Sequence, residues 1–255
     1  DKLLLSKLLT LTEYGYYTLA VTVAGAIYMI LGPIGQAFQP KLCELYASGN
    51  MKELATTYHK GAQLVTVTVG SAAVILIFFA HPILNVWTRD LELSARSYRL
   101  LQLIALGNFL NALCWIPYFT QLAYGWTGLA VKVNIVAVCF IVPAILWVTP
   151  RYGAEGAAMV WVALNTGYVL ISIHLAFRRI LKPQEKWEWY KKDIVFPILP
   201  AVFIAILVKG FFPAGTRLIS QLIFLIATGF IILASTALSA NYIRKIIQNK
   251  FLEFT

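Results

Sequence analysis

The sequence predicts an all-α protein, a polytopic transmembrane helix bundle. Of its 255 residues, 60% are hydrophobic and 13% are charged, whereas soluble chains average about 45–50% apolar and about 25% charged residues. Long stretches of the sequence carry no Asp, Glu, Lys or Arg, and about 20 apolar residues of helix cross a bilayer core. These stretches are much longer than the roughly 10-residue alternating strands of an outer-membrane barrel, so they are predicted to be helices.

Seven full spans and one partial span are predicted along the chain. Leu3–Thr12 is interpreted as the end of an earlier helix, which predicts that the sequence is a fragment. Two chain reversals are predicted, one at Tyr124–Gly128 and one at Pro150–Gly153, because glycine interrupts the apolar runs there. The seven full spans run approximately over Tyr14–Gln39, Gly61–Thr88, Leu100–Tyr124, Trp126–Thr149, Gly156–Phe177, Ile194–Phe212 and Leu218–Ile243.

The distribution of positive charge predicts the orientation of these spans. Six cations lie between 178 and 192, and loops rich in Lys and Arg face the cytoplasm. Successive loops lie on alternate faces of the membrane, so this one assignment fixes all the others. Twelve of the 21 cations then lie on the cytoplasmic side and six on the opposite side. The other three, Lys2, Lys7 and Lys132, fall inside spans.

The composition excludes an ordinary soluble enzyme, a disordered chain and a nucleic-acid-binding domain. Three cysteines are too few for a disulfide or zinc framework. The three histidines are scattered, with no carboxylate at metal-ligand or acyltransferase spacing in the sequence. The only close acidic pair, Asp90 and Glu92, lies beside arginines and is interpreted as a solvated ion-pair cluster. We therefore expect no enzymatic activity, no metal and no cofactor.

Charged and polar side chains at membrane depth are the candidate functional residues, because such groups are costly in lipid and usually face a cavity or a partner. Lys132 either snorkels to the headgroups or lines a water-filled cavity. Asp1 and Lys7 lie on the partial helix, and Asp1 is the candidate ion-coupling residue. Polar side chains on neighbouring spans either bond helices together or line a cavity, and the candidates are Asn108, Asn111, Gln121 and Asn165.

Several segments resemble one family of membrane proteins in their order and spacing. They are residues 1–6 (DKLLLS), 15–20 (GYYTLA), 33–42 (PIGQAFQPKL), 121–125 (QLAYG) and 152–158 (YGAEGAA). The chain resembles the second lobe of the polysaccharide flippases, and most of all the O-antigen flippases. These belong to the multidrug/oligosaccharidyl-lipid/polysaccharide exporter superfamily.

The resemblance implies a two-lobe, alternating-access transporter of the bacterial inner membrane, of which this chain supplies the second lobe. The division is then second-lobe helices at 1–178, a basic cytoplasmic loop at 179–193, and two further transmembrane helices with a cytoplasmic tail at 194–255. The implied substrate is an oligosaccharide on undecaprenyl pyrophosphate. A proton or sodium ion is the implied coupling ion, and Lys132 and then Lys7 would line the cavity.

The implied partners are the lipid-linked oligosaccharide, membrane lipids and polysaccharide-assembly proteins. No nucleic acid is expected as a partner.

Two alternative functions stay open. A multidrug/cation antiporter of the same superfamily would need an intramembrane carboxylate, for which only Asp1 qualifies. A membrane glycosyltransferase or polymerase would need a catalytic acid–base cluster in a large loop, and no predicted loop exceeds about 20 residues.

Overall fold

A computed structural model describes residues 2–180, 183–245 and 248. The described part is helical and contains no strand. Its α-helices are α1 Lys2–Leu8, α2 Leu11–Ala47, α3 Met51–Val65, α4 Ser71–Phe78, α5 Ala80–Thr88, α6 Leu91–Leu113, α7 Trp115–Ala123, α8 Thr127–Gly167, α9 Ile173–Ile180, α10 Pro183–Glu188, α11 Phe196–Lys209 and α12 Leu218–Ser239. Three π-helical segments join neighbouring helices without a loop, and they are Thr66–Gly70, Tyr168–Ser172 and Trp189–Val195.

Both predicted reversals are present. The chain turns after α7 with Gly125 in the left-handed region at φ 65°. The second reversal lies inside α8, where Gly153 has φ 59° and ψ −147°. The Tyr168 hydroxyl donates to Asn134 Oδ1 at 2.9 Å, whereas a straight helix would separate these residues by roughly 50 Å at 1.5 Å per residue. The two halves of α8 therefore form a hairpin.

Helices occupy all seven predicted span positions. Among the described residues, five helical stretches are long and apolar enough to cross a membrane, and one of them, Thr127–Leu175, contains both arms of the α8 hairpin. The sixth predicted span, Ile194–Phe212, begins with the last two residues of the π-helical segment and continues through the 14 residues of α11. The chain is thus an all-α, polytopic membrane bundle, as predicted.

Proline explains two of the breaks between consecutive helices, the one after α4 and the one after α6. A proline ring clashes with the carbonyl of the residue four positions earlier. Pro82 stands four residues after Phe78, where α4 ends, and Pro117 stands four residues after Leu113, where α6 ends. By contrast, Pro33 and Pro40 lie within the uninterrupted helix α2.

The main core is formed where α2, α6 and α8 pack together, and it is made mostly of Leu, Ile, Val and Ala side chains. The last two long helices, α11 and α12, pack on each other and on α4. They have a small apolar core of their own there, including Val74, Phe79 and Ile232. Large apolar side chains on α8, α11 and α12 are exposed, including Phe140, Phe203 and Phe230. This outward-facing apolar surface is the kind that lipid covers.

The chain reversals cluster at the two ends of the bundle. At one end, the Tyr46 and Tyr124 rings lie 4.3 Å apart between centroids, which joins the turn after α2 to the turn after α7. At the other end, residues near the starts of α2 and α6 and the Gly153 turn line one recess. This division agrees with the assignment of these loops to opposite membrane faces from their charge.

Candidate functional site

Three of the predicted polar residues meet in the main core, where they are connected by hydrogen bonds, either directly or through Tyr28 and Trp161. Asn111 Nδ2 donates to Asn165 Oδ1 at 2.9 Å, which joins α6 to the second arm of α8. Asn108 Nδ2 donates to the Ala24 carbonyl at 3.1 Å, which joins α6 to α2. The Tyr28 hydroxyl lies 3.3 Å from Asn111 Oδ1 and 3.4 Å from Asn108 Oδ1. We call Tyr28, Asn108, Asn111, Trp161 and Asn165 the asparagine cluster.

Further hydrogen bonds and a close contact at Gly107 hold the asparagine cluster in place. Trp161 Nε1 donates to Asn108 Oδ1 at 3.0 Å, and Asn165 Nδ2 donates to the Trp161 carbonyl at 2.8 Å. Trp161 can approach α6 because Gly107 has no side chain: a Cβ there would lie 2.3 Å from Trp161 Cδ1. Since Asn108 and Asn165 are buried, these bonds satisfy amides that would be costly to bury alone. The contacts therefore fit the interpretation of these residues as interhelical bonds.

The other predicted site residues lie elsewhere. Gln121 is buried on α7, beyond the break at Cys114, and takes no part in the hydrogen bonds of the asparagine cluster that the described residues form. Lys132 is exposed on the first arm of α8, within a largely apolar outer surface. Lys7 is exposed near the end of α1. Asp1, the candidate coupling residue, lies outside the described residues.

A buried ionisable pair, which the sequence analysis missed, lies at the end predicted to face the cytoplasm. His59 Nδ1 on α3 and Asp193 Oδ2 share a hydrogen bond, and the Asp193 side chain is only 1% exposed. Gln63 Nε2 donates to Asp193 Oδ1 at 2.8 Å, while Gln63 Oε1 accepts from the Tyr242 backbone N–H at 2.8 Å. We call His59, Gln63, Asp193 and Tyr242 the histidine–aspartate cluster.

The histidine–aspartate cluster joins three separate parts of the chain: α3, the π-helical segment before α11, and the helical turn at 241–245 after α12. Burial raises the pKa of the Asp193 carboxyl, and the hydrogen bonds from His59 and Gln63 oppose that change. The pair is 134 residues apart in sequence, so spacing could not reveal it. A usable signal was that His59 and Asp193 each stand just before a long charge-free run that starts on the same membrane face.

The close acidic pair near the other end has structural roles. Asp90 Oδ1 accepts from the Leu93 backbone N–H at 3.0 Å and so caps α6. Glu92 lies 3.0 Å from Arg96 in an exposed ion pair. These contacts agree with the interpretation as a solvated ion-pair cluster and offer no catalytic pair of carboxylates. Among the described residues, no group of three or more His, Cys, Asp or Glu side chains could hold a metal ion.

A helical bundle with an apolar exterior, interhelical polar bonds and loops clustered at two ends defines a polytopic membrane protein. A family model described as MatE matches residues 2–148, more than half of the chain. The chain belongs to the MatE family, which confirms the resemblance to the multidrug/oligosaccharidyl-lipid/polysaccharide exporter superfamily. The match ends within the first arm of α8, so the histidine–aspartate cluster is only partly inside it.

The chain is also similar to a Shigella flexneri protein named "Putative O-antigen transporter". The two are 21% identical over 161 residues, which is 63% of this chain and 38% of that relative. The aligned part thus spans well under half of the relative's length. No solved structure matches the chain significantly. The family and the relative both point to a transporter rather than an enzyme.

Proposed function

We propose that the protein is an inner-membrane flippase that moves undecaprenyl-pyrophosphate-linked oligosaccharide, such as an O-antigen unit, by alternating access. The observation that carries this proposal is the alignment of 63% of the chain with a relative named as an O-antigen transporter. The MatE match and the apolar helical bundle support a membrane transporter. This chain would supply one lobe of that transporter.

The chemistry of this substrate sets what the protein must provide. A pyrophosphate and its sugars cannot cross the bilayer core without a polar path, because charged groups are expensive in lipid. Cations along that path would offset the two phosphates. Lys132 and Lys7 are the cations that we propose for this role. Lys132 lies on the first arm of α8 and Lys7 on the short helix α1, and both side chains are exposed. An ion gradient would drive the cycle, with Asp1 as the proposed coupling residue.

Deletion of the gene tests this function. Surface polysaccharide should disappear, while lipid-linked units accumulate on the cytoplasmic face, and the full-length gene should restore display. Drug susceptibility of the same strains is the control for a multidrug/cation antiporter, and it should stay unchanged. Normal polysaccharide display in the deletion strain would contradict the proposal. Collapse of the proton or sodium gradient should stop display in the complemented strain, and the effective treatment identifies the coupling ion.

A further inference from the structure

A basic pocket of about 370 Å³ opens beside the histidine–aspartate cluster. It lies between α3, the π-helical segment Trp189–Val195 and the turn at 241–245. Its charged lining consists of Glu188, Lys192, Asp193, Arg244 and Lys245, and His59 also lines it. The asparagine cluster is buried in the main core, whereas this pocket has a predominantly polar wall at one end of the bundle.

Positive charge is in excess in this pocket. Lys192 Nζ pairs with Glu188 Oε1 at 2.9 Å, and Asp193 is held by His59 and Gln63. Arg244 Nη2 instead donates to the neutral amide of Asn241 at 3.2 Å. Within the described part of the chain, no carboxylate forms an ion pair with Arg244 or Lys245. Two cations in the wall are therefore left to attract an anion.

His59 adds a hydrogen-bonding group to these cations. Its side chain is only 8% exposed, and its Nδ1 is engaged by Asp193. Nε2 is then the ring nitrogen left for a ligand. A carboxylate on Nδ1 fixes the orientation of an imidazole, and a ring nitrogen that carries a proton can donate to a phosphate oxygen.

The surroundings of the pocket have the features of a membrane–water interface. Trp187 is 60% exposed, and Lys186 Nζ lies 5.0 Å from the centre of its ring. Tryptophan beside lysine is typical of the headgroup layer. The adjoining helices α11 and α12 expose large apolar side chains, which would lie against acyl chains. A lipid beside these helices would bring its phosphate to the level of the pocket.

We propose that this pocket binds the phosphate group of a lipid at the cytoplasmic membrane surface, with Arg244 and Lys245 as the charged contacts and His59 as the hydrogen-bonding contact. Basic pockets between transmembrane helices on the cytoplasmic side are suited to anionic headgroups. The phosphate has two chemical sources, the headgroup of an anionic phospholipid and the pyrophosphate of the lipid-linked substrate. If the source is the substrate, the inference rests on the proposed function.

Native mass spectrometry on the purified full-length protein tests the site. The probes are dioleoyl phosphatidylglycerol, undecaprenyl pyrophosphate, zwitterionic dioleoyl phosphatidylcholine and inorganic phosphate. The double variant Arg244→Gln/Lys245→Gln should bind one or both anionic lipids at least about tenfold more weakly, since each cation near a membrane surface contributes on the order of 1 kcal/mol. Lys41→Gln/Lys52→Gln is the matched control, because it removes two exposed cations from the same predicted face.

Each outcome decides the proposal. Weaker binding of phosphatidylglycerol alone identifies a phospholipid site, and weaker binding of undecaprenyl pyrophosphate identifies a substrate site. Equal binding by the two double variants overturns the proposal, as does binding of inorganic phosphate as tight as that of the lipids. His59→Asn keeps an N–H near the position of Nδ1 and removes Nε2, so it should weaken lipid binding without lowering the melting temperature as far as His59→Leu. The assay measures binding without transport, so failure here leaves the deletion test of the flippase intact.

Discussion

At the scale of single residues, Lys132 has two possible roles: it lines the substrate cavity, or it snorkels to the lipid headgroups. The side chain is exposed on α8, and a cation that meets a phosphate should need its charge rather than its shape. Lys132→Ala should reduce surface polysaccharide display about fivefold, the effect expected for one phosphate contact worth on the order of 1 kcal/mol, while Lys132→Arg should be largely tolerated. Lys209→Ala at the outer end of α11 is the control. Equal display by Lys132, its alanine variant and its arginine variant would show that the side chain only snorkels.

Gly107 is the residue on which the packing of the asparagine cluster depends. Its missing side chain leaves room for Trp161, and an added Cβ would lie 2.3 Å from that ring. Gly107→Ala should destabilise the protein by roughly 1–3 kcal/mol, as overpacking does, and should displace Trp161 from Asn108. Gly25→Ala on α2 makes the same chemical change where nothing lies within 4 Å of the new Cβ. Thermal unfolding in detergent should therefore show a lower melting temperature for Gly107→Ala only.

At the scale of helices, the last two long helices have a polar attachment as well as an apolar one. Gln63 uses both ends of its amide, one for Asp193 before α11 and one for the Tyr242 backbone after α12. Gln63→Leu should therefore loosen both segments together, because it removes an acceptor and a donor at once and leaves buried polar groups without partners. Hydrogen exchange should rise at 189–195 and at 241–245, and stay unchanged in the middle of α2.

The matched control for this prediction is Gln221→Leu on α12. Among the described residues, Gln221 donates to the nearby Thr216 carbonyl alone, at 3.2 Å, so its loss should affect only the start of α12. If Gln63→Leu leaves the exchange of both distant segments unchanged, the apolar contacts with α4 are sufficient to hold the pair, and the attachment through Gln63 has no mechanical role.

At the scale of the whole molecule, the sequence predicts the order of helices well because its signals are local. The reversals at Gly125 and Gly153 follow from glycine between apolar runs, and both are present. The breaks before Pro82 and Pro117 are also local, but proline occurs in α2 without a break, so their positions were not predictable from proline alone. By contrast, the sequence could not show that Asn111 bonds to Asn165, because that contact depends on how α6 packs against α8.

The histidine–aspartate cluster shows where sequence reasoning stops. His59 and Asp193 come together only because α3 and the segment before α11 pack side by side, and no spacing rule spans that distance. The π-helical segments were missed for a related reason. One extra residue in a helical turn leaves no mark on composition or hydropathy, yet it rotates every following side chain on the helix.

The orientation of the bundle in the membrane is the last and broadest prediction. Charge places the turn after α2 in the cytoplasm and the turn between α11 and α12 outside. With Cys43, Cys114 and Cys139 replaced by serine, Ser48→Cys and Ala214→Cys each provide one exposed thiol in these two turns. An impermeant maleimide should label Ala214→Cys in intact spheroplasts, and Ser48→Cys only after permeabilisation. The reverse labelling pattern would invert the predicted topology. The basic pocket would then lie at the outer face. Lys132 would lie near the outer end of its span, where it could not meet a substrate that enters from the cytoplasm.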